Sequence, residues 1–386
     1  MTRTTFDWIL SCPACDATAS AEGLPTLCAC GHPWLVRYPR RRYSLKDRAA
    51  VRRGRSMWRF ADWLPILPAE DPVSLGEGDT PLLSVPRTAE RVGLGDLWIK
   101  DEGVNPSGSF KSRGISTAMT RAHAARAPGI VLPTAGNAGV ASSAYGARAG
   151  LPVRVYAPRS TPPVLLAQIR RFGGDLVLVD GHIGDCGKAA REFAREQGWF
   201  DLSTLKEPYR IEGKKTLGLE LAMQFDWRLP DVIIYPTGGG TGLIGMWKAF
   251  QELDAAGWTT DPAPRMYTVQ SEGCAPMVRA FERGAERAEA WEDPHTAASG
   301  LRVPGPIGDR LMLQALRESQ GGAVAVSDEA LLALASTVTA TEGIDLSPEG
   351  GAALAAAAEL ARRGDIRPDE RVVVFNTGAG WLYQST

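Results

Sequence analysis

Asp231-Val-Ile-Ile-Tyr-Pro-Thr-Gly-Gly-Gly-Thr-Gly-Leu-Ile-Gly is the stretch that decides the fold. A β-branched apolar run, Asp231–Tyr235, reads as a strand. A glycine run follows it, and a helical pattern over Leu243–Leu253 follows that. Glycines Gly238, Gly239, Gly240 and Gly242 leave backbone N–H groups free to converge on one point. The start of the next helix adds partial positive charge there. The ligand predicted for Thr237–Gly242, with Thr241 inside it, is a phosphate. The spacing is neither the dinucleotide fingerprint nor a P-loop, because it lacks both the later acidic residue and Gly-Lys-Ser/Thr.

Working outward, short strands alternate with Ala-rich helices. Expected strands are Leu97–Lys100, Gly129–Pro133, Leu151–Ala157, Asp175–Asp180, Met266–Gln270 and Arg371–Phe375. Expected helices are Ser112–Ala127, Gly139–Ala149, Pro163–Phe172, Gly187–Gln197, Asp328–Thr341 and Pro348–Arg363. The alternation predicts an α/β chain of two domains, with parallel sheets wrapped by helices. Ligands of such sheets bind in loops beyond the carboxyl ends of strands. The distinctive residues fall there. A large domain is expected over 61–111 and 226–386, a smaller mobile domain over 112–225, and an N-terminal extension over 1–60.

Asn105-Pro-Ser-Gly-Ser-Phe leads into a helix that opens at Lys111. The positive end of a helix disfavours an ammonium group, and a neutral amine is what Schiff-base chemistry needs. An anion cradle and an amine together suit a phosphorylated aldehyde cofactor.

These motifs resemble those of fold-type II pyridoxal-phosphate enzymes, and within that group the threonine synthase family and its close paralogues. The resemblance rests on Lys100–Gly114, Thr134–Gly150, Arg210-Ile-Glu-Gly-Lys-Lys-Thr and Thr237–Gly242. Tyr267–Gly273, Ile344–Ala353 and Phe375-Asn-Thr-Gly-Ala-Gly extend it, all in order across roughly residues 74–382. It implies pyridoxal 5'-phosphate held through Lys111, with the phosphate on Gly238–Gly242. Asn137 is implied to meet the cofactor 3'-oxygen, and Thr377 its ring nitrogen. Ser109, Thr134, Ala135, Gly136 and Ala138 are implied to surround the substrate carboxylate. Arg210, Lys214 and Lys215 are implied to be donors to a substrate anion. The implied reaction converts O-phospho-L-homoserine and water to L-threonine and phosphate. Ser112 and the Thr237-Gly-Gly-Gly-Thr-Gly loop also resemble those of serine and threonine dehydratases, and Ala135 and Ala138 stand where threonine synthases usually offer hydroxyls. A dehydratase, or a β-replacement synthase acting on serine or phosphoserine, therefore stays open. The family implies a homodimer. Glu349, after Ser347-Pro348, reads as a helix-start residue.

Cys12-Pro-Ala-Cys15, twelve intervening residues, and Cys28-Ala-Cys30 crowd the N-terminus. In a chain with no secretory signal, such a cluster reads as metal ligands before disulfides. Four thiolates suit tetrahedral zinc, although the second pair is one residue shorter than knuckle spacing. Between Arg37 and Arg59 stand ten Arg or Lys residues and one acid. A cysteine ribbon beside such a stretch is the pattern of a nucleic-acid-binding module without catalysis, which is the rival class. The net charge of −1 over 386 residues argues against it. With 44% hydrophobic and 23% charged residues, the composition excludes disorder. The opening residues carry no apolar leader, and no apolar run approaches the roughly 20 residues of a membrane span. A cytoplasmic enzyme without nucleic-acid or membrane partners is the expectation.

Overall fold

The computed structural model describes residues 6–39, 41 and 43–383. Arg40 and Arg42 of the basic stretch, and the first five residues, lie outside the described residues. The chain clusters into two compact units. One comprises Met1–Glu77 and Lys111–Thr216, the other Gly78–Phe110 and Leu217–Thr386.

In the second unit a six-stranded sheet runs Gly322–Val326, Arg265–Ser271, Val232–Pro236, Arg371–Asn376, Asp96–Asp101, Leu82–Ser84. All its pairings are parallel except the edge strand Leu82–Ser84, which is antiparallel. Val232–Pro236 is buried along its whole length, as its unbroken apolar run demands. Ile234 pairs with Tyr267 on one side and Val374 on the other. The carboxyl ends of three adjacent strands, Val232–Pro236, Arg371–Asn376 and Asp96–Asp101, therefore point the same way. They deliver the glycine loop, Thr377 and the Glu102–Phe110 segment to one end of the sheet. The alanine-rich helix Pro348–Arg363 is core. A Cβ added to Gly351 would lie 2.0 Å from the Leu331 carbonyl oxygen, so glycine lets helix Asp328–Glu342 approach to backbone contact.

In the first unit a four-stranded parallel sheet runs Asp175–Val179, Val153–Pro158, Ile130–Pro133, Phe200–Asp201. The N-terminal residues add a three-stranded antiparallel ribbon of Thr18–Ala19, Ile9–Ser11 and Leu35–Arg37. Residues 61–77, expected with the large domain, cluster here instead. Glu77 explains this. Its buried carboxylate accepts Trp58 Nε1–H at 2.8 Å, Ser116 Oγ–H at 2.5 Å and Tyr145 Oη–H at 2.6 Å. The second division falls inside helix Tyr209–Gln224, at Thr216, rather than after it. No helix among the described residues is long and apolar enough to cross a membrane.

A buried charge network fixes the strand that leads toward Lys111. Lys100 and Glu220 are both fully buried, with Nζ 2.6 Å from Oε1. Lys100 also donates to the Thr80 carbonyl at 2.6 Å and to Gln224 Oε1 at 2.9 Å. Glu220 accepts the backbone N–H groups of Asp79 and Thr80 at 2.9 and 3.0 Å. Removing one partner strands the other charge in the interior. Glu220→Ala should cost about 3–5 kcal/mol in chemical denaturation, and Lys100→Met/Glu220→Ala should cost less than that single change. A double variant no more stable than Glu220→Ala would contradict this.

Candidate functional site

The glycine loop has no room for side chains. A Cβ at Gly238 would lie 2.2 Å from the Gly300 carbonyl oxygen, and one at Gly242 2.0 Å from Tyr235 Oη. At Gly240 it would lie 2.1 Å from Met312 Sδ, and φ there is +79°, the left-handed region glycine tolerates. Gly239 is half-buried between them. Helix Thr241–Ala255 starts directly after, with no side chain capping its first N–H groups. A bare backbone cradle at an uncapped helix start fits a phosphate group.

The Gly238 contact is itself anchored. Gly300 N–H donates to Glu349 Oε1 at 2.7 Å. Glu349 lies in the first turn of its helix, as expected, but it is buried, and burial pushes its carboxyl above the ordinary range. It thus supports the segment behind the cradle, a role its spacing alone does not signal. Beside the cradle, Thr377 is buried and its carbonyl accepts Phe110 N–H at 3.0 Å. Ser109, fully buried, bridges to Gly378. Asn376 ties Asp101 to the Ser347 helix start, donating to Asp101 Oδ1 at 2.9 Å and accepting Ser347 N–H at 3.1 Å. The lead-in to Lys111 is therefore stitched to the Thr377 loop as far as Phe110.

In the first unit, Lys111 is the first residue of helix Lys111–Ala124 and is half-buried. Asn137 opens helix Asn137–Ala149, whose N-cap is Gly136, without a side-chain cap. Thr134 Oγ1 accepts Gly136 N–H at 3.0 Å, holding the turn. Ala135, Gly136 and Asn137 are half-buried, and Ala138 is buried. Arg210, Lys214 and Lys215 share helix Tyr209–Gln224 and are all buried. Lys215 Nζ donates to Glu212 Oε2 at 2.9 Å and to the Trp63 carbonyl at 2.5 Å. Arg210 Nη1 donates to the Leu202 carbonyl at 3.0 Å and to Thr204 Oγ1 at 3.3 Å, whereas its Nε is buried with no hydrogen-bond partner. Burial lowers its affinity for its proton, against the opposing charge of Glu207. The four cysteine sulfurs lie within 4.8 Å of one another.

Glu207 was not singled out by sequence. Its Oε2 accepts the N–H groups of Tyr209 and Arg210 at 2.7 and 3.1 Å, so it caps the helix that carries Arg210. The signal available was an acid two residues before the first helical residue. Burial pushes it from the ordinary 4.5 to about 7, opposed by Arg210 and the two N–H groups.

Three comparisons define the kinship. A family profile described as pyridoxal-phosphate dependent enzyme matches residues 73–378. The threonine synthase of Methanosarcina acetivorans is 36% identical, over 84% of this chain and 79% of its own. That of Methanocaldococcus jannaschii is 31% identical over 96% and 91%. Among solved structures, a T.th. threonine deaminase is 25% identical with a TM-score of 0.67, over 88% of this chain and 98% of that one.

The raised Glu207 makes a pH prediction. The folded protein keeps this proton where the unfolded chain has released it, so stability falls as pH rises from 4.5 to about 7. Glu207→Gln removes that titration. Its stability relative to the parent should rise between about pH 5 and about pH 8, by on the order of 3 kcal/mol at most. Denaturation midpoints of the two proteins that move in parallel across that range would contradict it. The profile match, these relatives and the glycine cradle lead to one conclusion: the chain belongs to the pyridoxal-phosphate-dependent enzymes, among the threonine synthase-like lyases.

Proposed function

We propose that the protein converts O-phospho-L-homoserine and water to L-threonine and phosphate. Bound pyridoxal phosphate supplies an electron sink that makes Cα–H and Cβ–H bonds of an amino acid breakable. The chain's residues do the rest. Lys111 Nζ would hold the cofactor aldehyde and would carry protons at the substrate's Cα and Cβ. Backbone N–H groups of Gly238–Gly242 hold the cofactor phosphate, and Asn137 meets its 3'-oxygen. Thr377 meets the ring nitrogen with a neutral hydroxyl, which leaves the ring less electron-withdrawing and favours elimination and replacement over transamination. The Thr134–Ala138 turn, with Ser109, orients the substrate carboxylate.

The observation that carries the phosphorylated substrate is Arg210. A guanidinium buried this completely, with Nε unpartnered, is stabilised by an anion. Lys214, buried one helical turn on, belongs to the same group. Lys215 is engaged by Glu212 and the Trp63 carbonyl, so we assign it to holding the helix. Kinship supports a small-molecule amino acid as substrate; we propose that the protein acts as a cytoplasmic homodimer, with neither nucleic acid nor membrane as partner.

Purified holoenzyme given O-phospho-L-homoserine should release phosphate and threonine in equal amounts. Arg210→Lys, which loses the planar fork, should raise KM at least about tenfold. Lys111→Ala should abolish turnover. No phosphate from this substrate, with 2-oxoacid formed from threonine or serine, would overturn the proposal in favour of a dehydratase.

A further inference from the structure

The N-terminal ribbon holds the one group of metal-ligating side chains found among the described residues, and the chemistry above does not use it. We propose that Cys12, Cys15, Cys28 and Cys30 bind one zinc ion that staples the ribbon and so seats Tyr38 on helix Tyr209–Gln224.

The geometry is that of a four-thiolate site. Cys12 Sγ is 3.4 Å from Cys30 Sγ, Cys15 Sγ is 3.6 Å from Cys28 Sγ, and all four lie within 4.8 Å of one another. Tetrahedral zinc with Zn–S bonds of about 2.3 Å spaces its sulfurs about 3.8 Å apart. A disulfide needs about 2.05 Å. The cysteines are unbridged, and the close pairs cross between the two turns rather than lying within either.

The two turns explain how unequal spacings converge. In the first, Cys12 N–H donates to the Ala17 carbonyl at 2.8 Å, Asp16 N–H donates to the Cys12 carbonyl at 3.1 Å, and Asp16 has φ +56°. In the second, Gly31 N–H donates to the Cys28 carbonyl at 2.8 Å and Cys28 N–H to the His32 carbonyl at 3.0 Å, with Gly31 at φ +84°. The left-handed glycine after Cys30 closes this turn back onto the Cys28 carbonyl. His32 Nδ1 lies 3.5 Å from Cys30 Sγ, where its N–H can donate to a thiolate and support the ligand from outside.

The ribbon needs a staple. Its strands are two or three residues long, and such a hairpin is marginal by itself. Metal binding supplies folding energy to modules of this size. The last strand, Leu35–Arg37, delivers Tyr38. Tyr38 Oη donates to Glu212 Oε2 at 2.6 Å, and Lys215 Nζ sits 4.5 Å over its ring. The metal thus lies at one end of a short rigid path whose other end is the buried Glu212–Lys215 pair.

The test uses untagged, full-length holoenzyme and Cys15→Ser/Cys30→Ser. Both these cysteines are exposed, so serine there leaves the core intact. The parent should carry one zinc per chain, and the variant none, with the cofactor's visible absorbance retained in both. Cobalt exchanged into the parent should give the intense sulfur-to-metal absorption of four thiolates. Hydrogen exchange over residues 6–38 and 209–216 should quicken at least tenfold in the zinc-free variant. A reduced parent that binds neither zinc nor cobalt would overturn the site, as would a mass showing two disulfides. Unchanged exchange in the zinc-free variant would overturn the staple. Because the cofactor absorbance is read independently, failure here is distinct from failure of the proposed reaction.

Discussion

The first unit depends on a place where two helices meet backbone to backbone. A Cβ on Gly213 would lie 2.1 Å from the Arg113 carbonyl oxygen, and one on Gly114 would lie 2.8 Å from that of Arg210. Helices Lys111–Ala124 and Tyr209–Gln224 can approach this closely only with glycine at both positions. Arg113 Nη1 then reaches Thr216 Oγ1 at 3.1 Å, and Thr216 turns back to the Gly213 carbonyl at 2.6 Å. The Lys-Ser-Arg-Gly and Glu-Gly-Lys-Lys-Thr motifs, about a hundred residues apart in sequence, are therefore the two halves of one packing contact. Their glycines place Lys111 less than one turn from the crossing and fix Arg210 and Lys214 beside it.

Burying so many charges would be ruinous without partners. The structure answers by making each charge structural as well. Lys100 with Glu220 sets the approach to Phe110, and Glu77 gathers three side-chain donors beside the helix of Lys111. Glu212 and Lys215 hold Tyr38, and Glu207 caps the Arg210 helix. Arg210 Nε, like Arg121 Nε and Glu207 Oε1, is buried with no hydrogen-bond partner. The same desolvation that costs stability in the free protein strengthens any charge that binds there.

Where periodicity was clean, the sequence was readable. Pro348–Arg363 runs over the expected span, and Val232–Pro236 is shifted by one residue from it. Helix Ile183–Gln197 begins four residues before the expected Gly187, because a capping box between His182 and Asp185 starts it there. Helix Tyr209–Gln224 was legible only as a motif. It is buried from Tyr209 to Ala222 and carries buried charges, so no apolar stripe marks it. Helix Asp309–Glu318 and strand Gly322–Val326 were also missed; the strand is Gly-Ala-Val-Ala-Val, whose small residues give weak contrast. At the site, residue types with one chemical use, the glycine run and the cysteines, were legible. Glu77, Glu207 and Glu349 were not, because their roles depend on partners distant in sequence.

The central claim is that Lys111, rather than any of the fully buried lysines, carries the cofactor. Borohydride reduction of the holoenzyme followed by peptide mapping tests it directly. The pyridoxyl mass should sit on Lys111 alone. Finding it on Lys100, Lys214 or Lys215 would contradict the account.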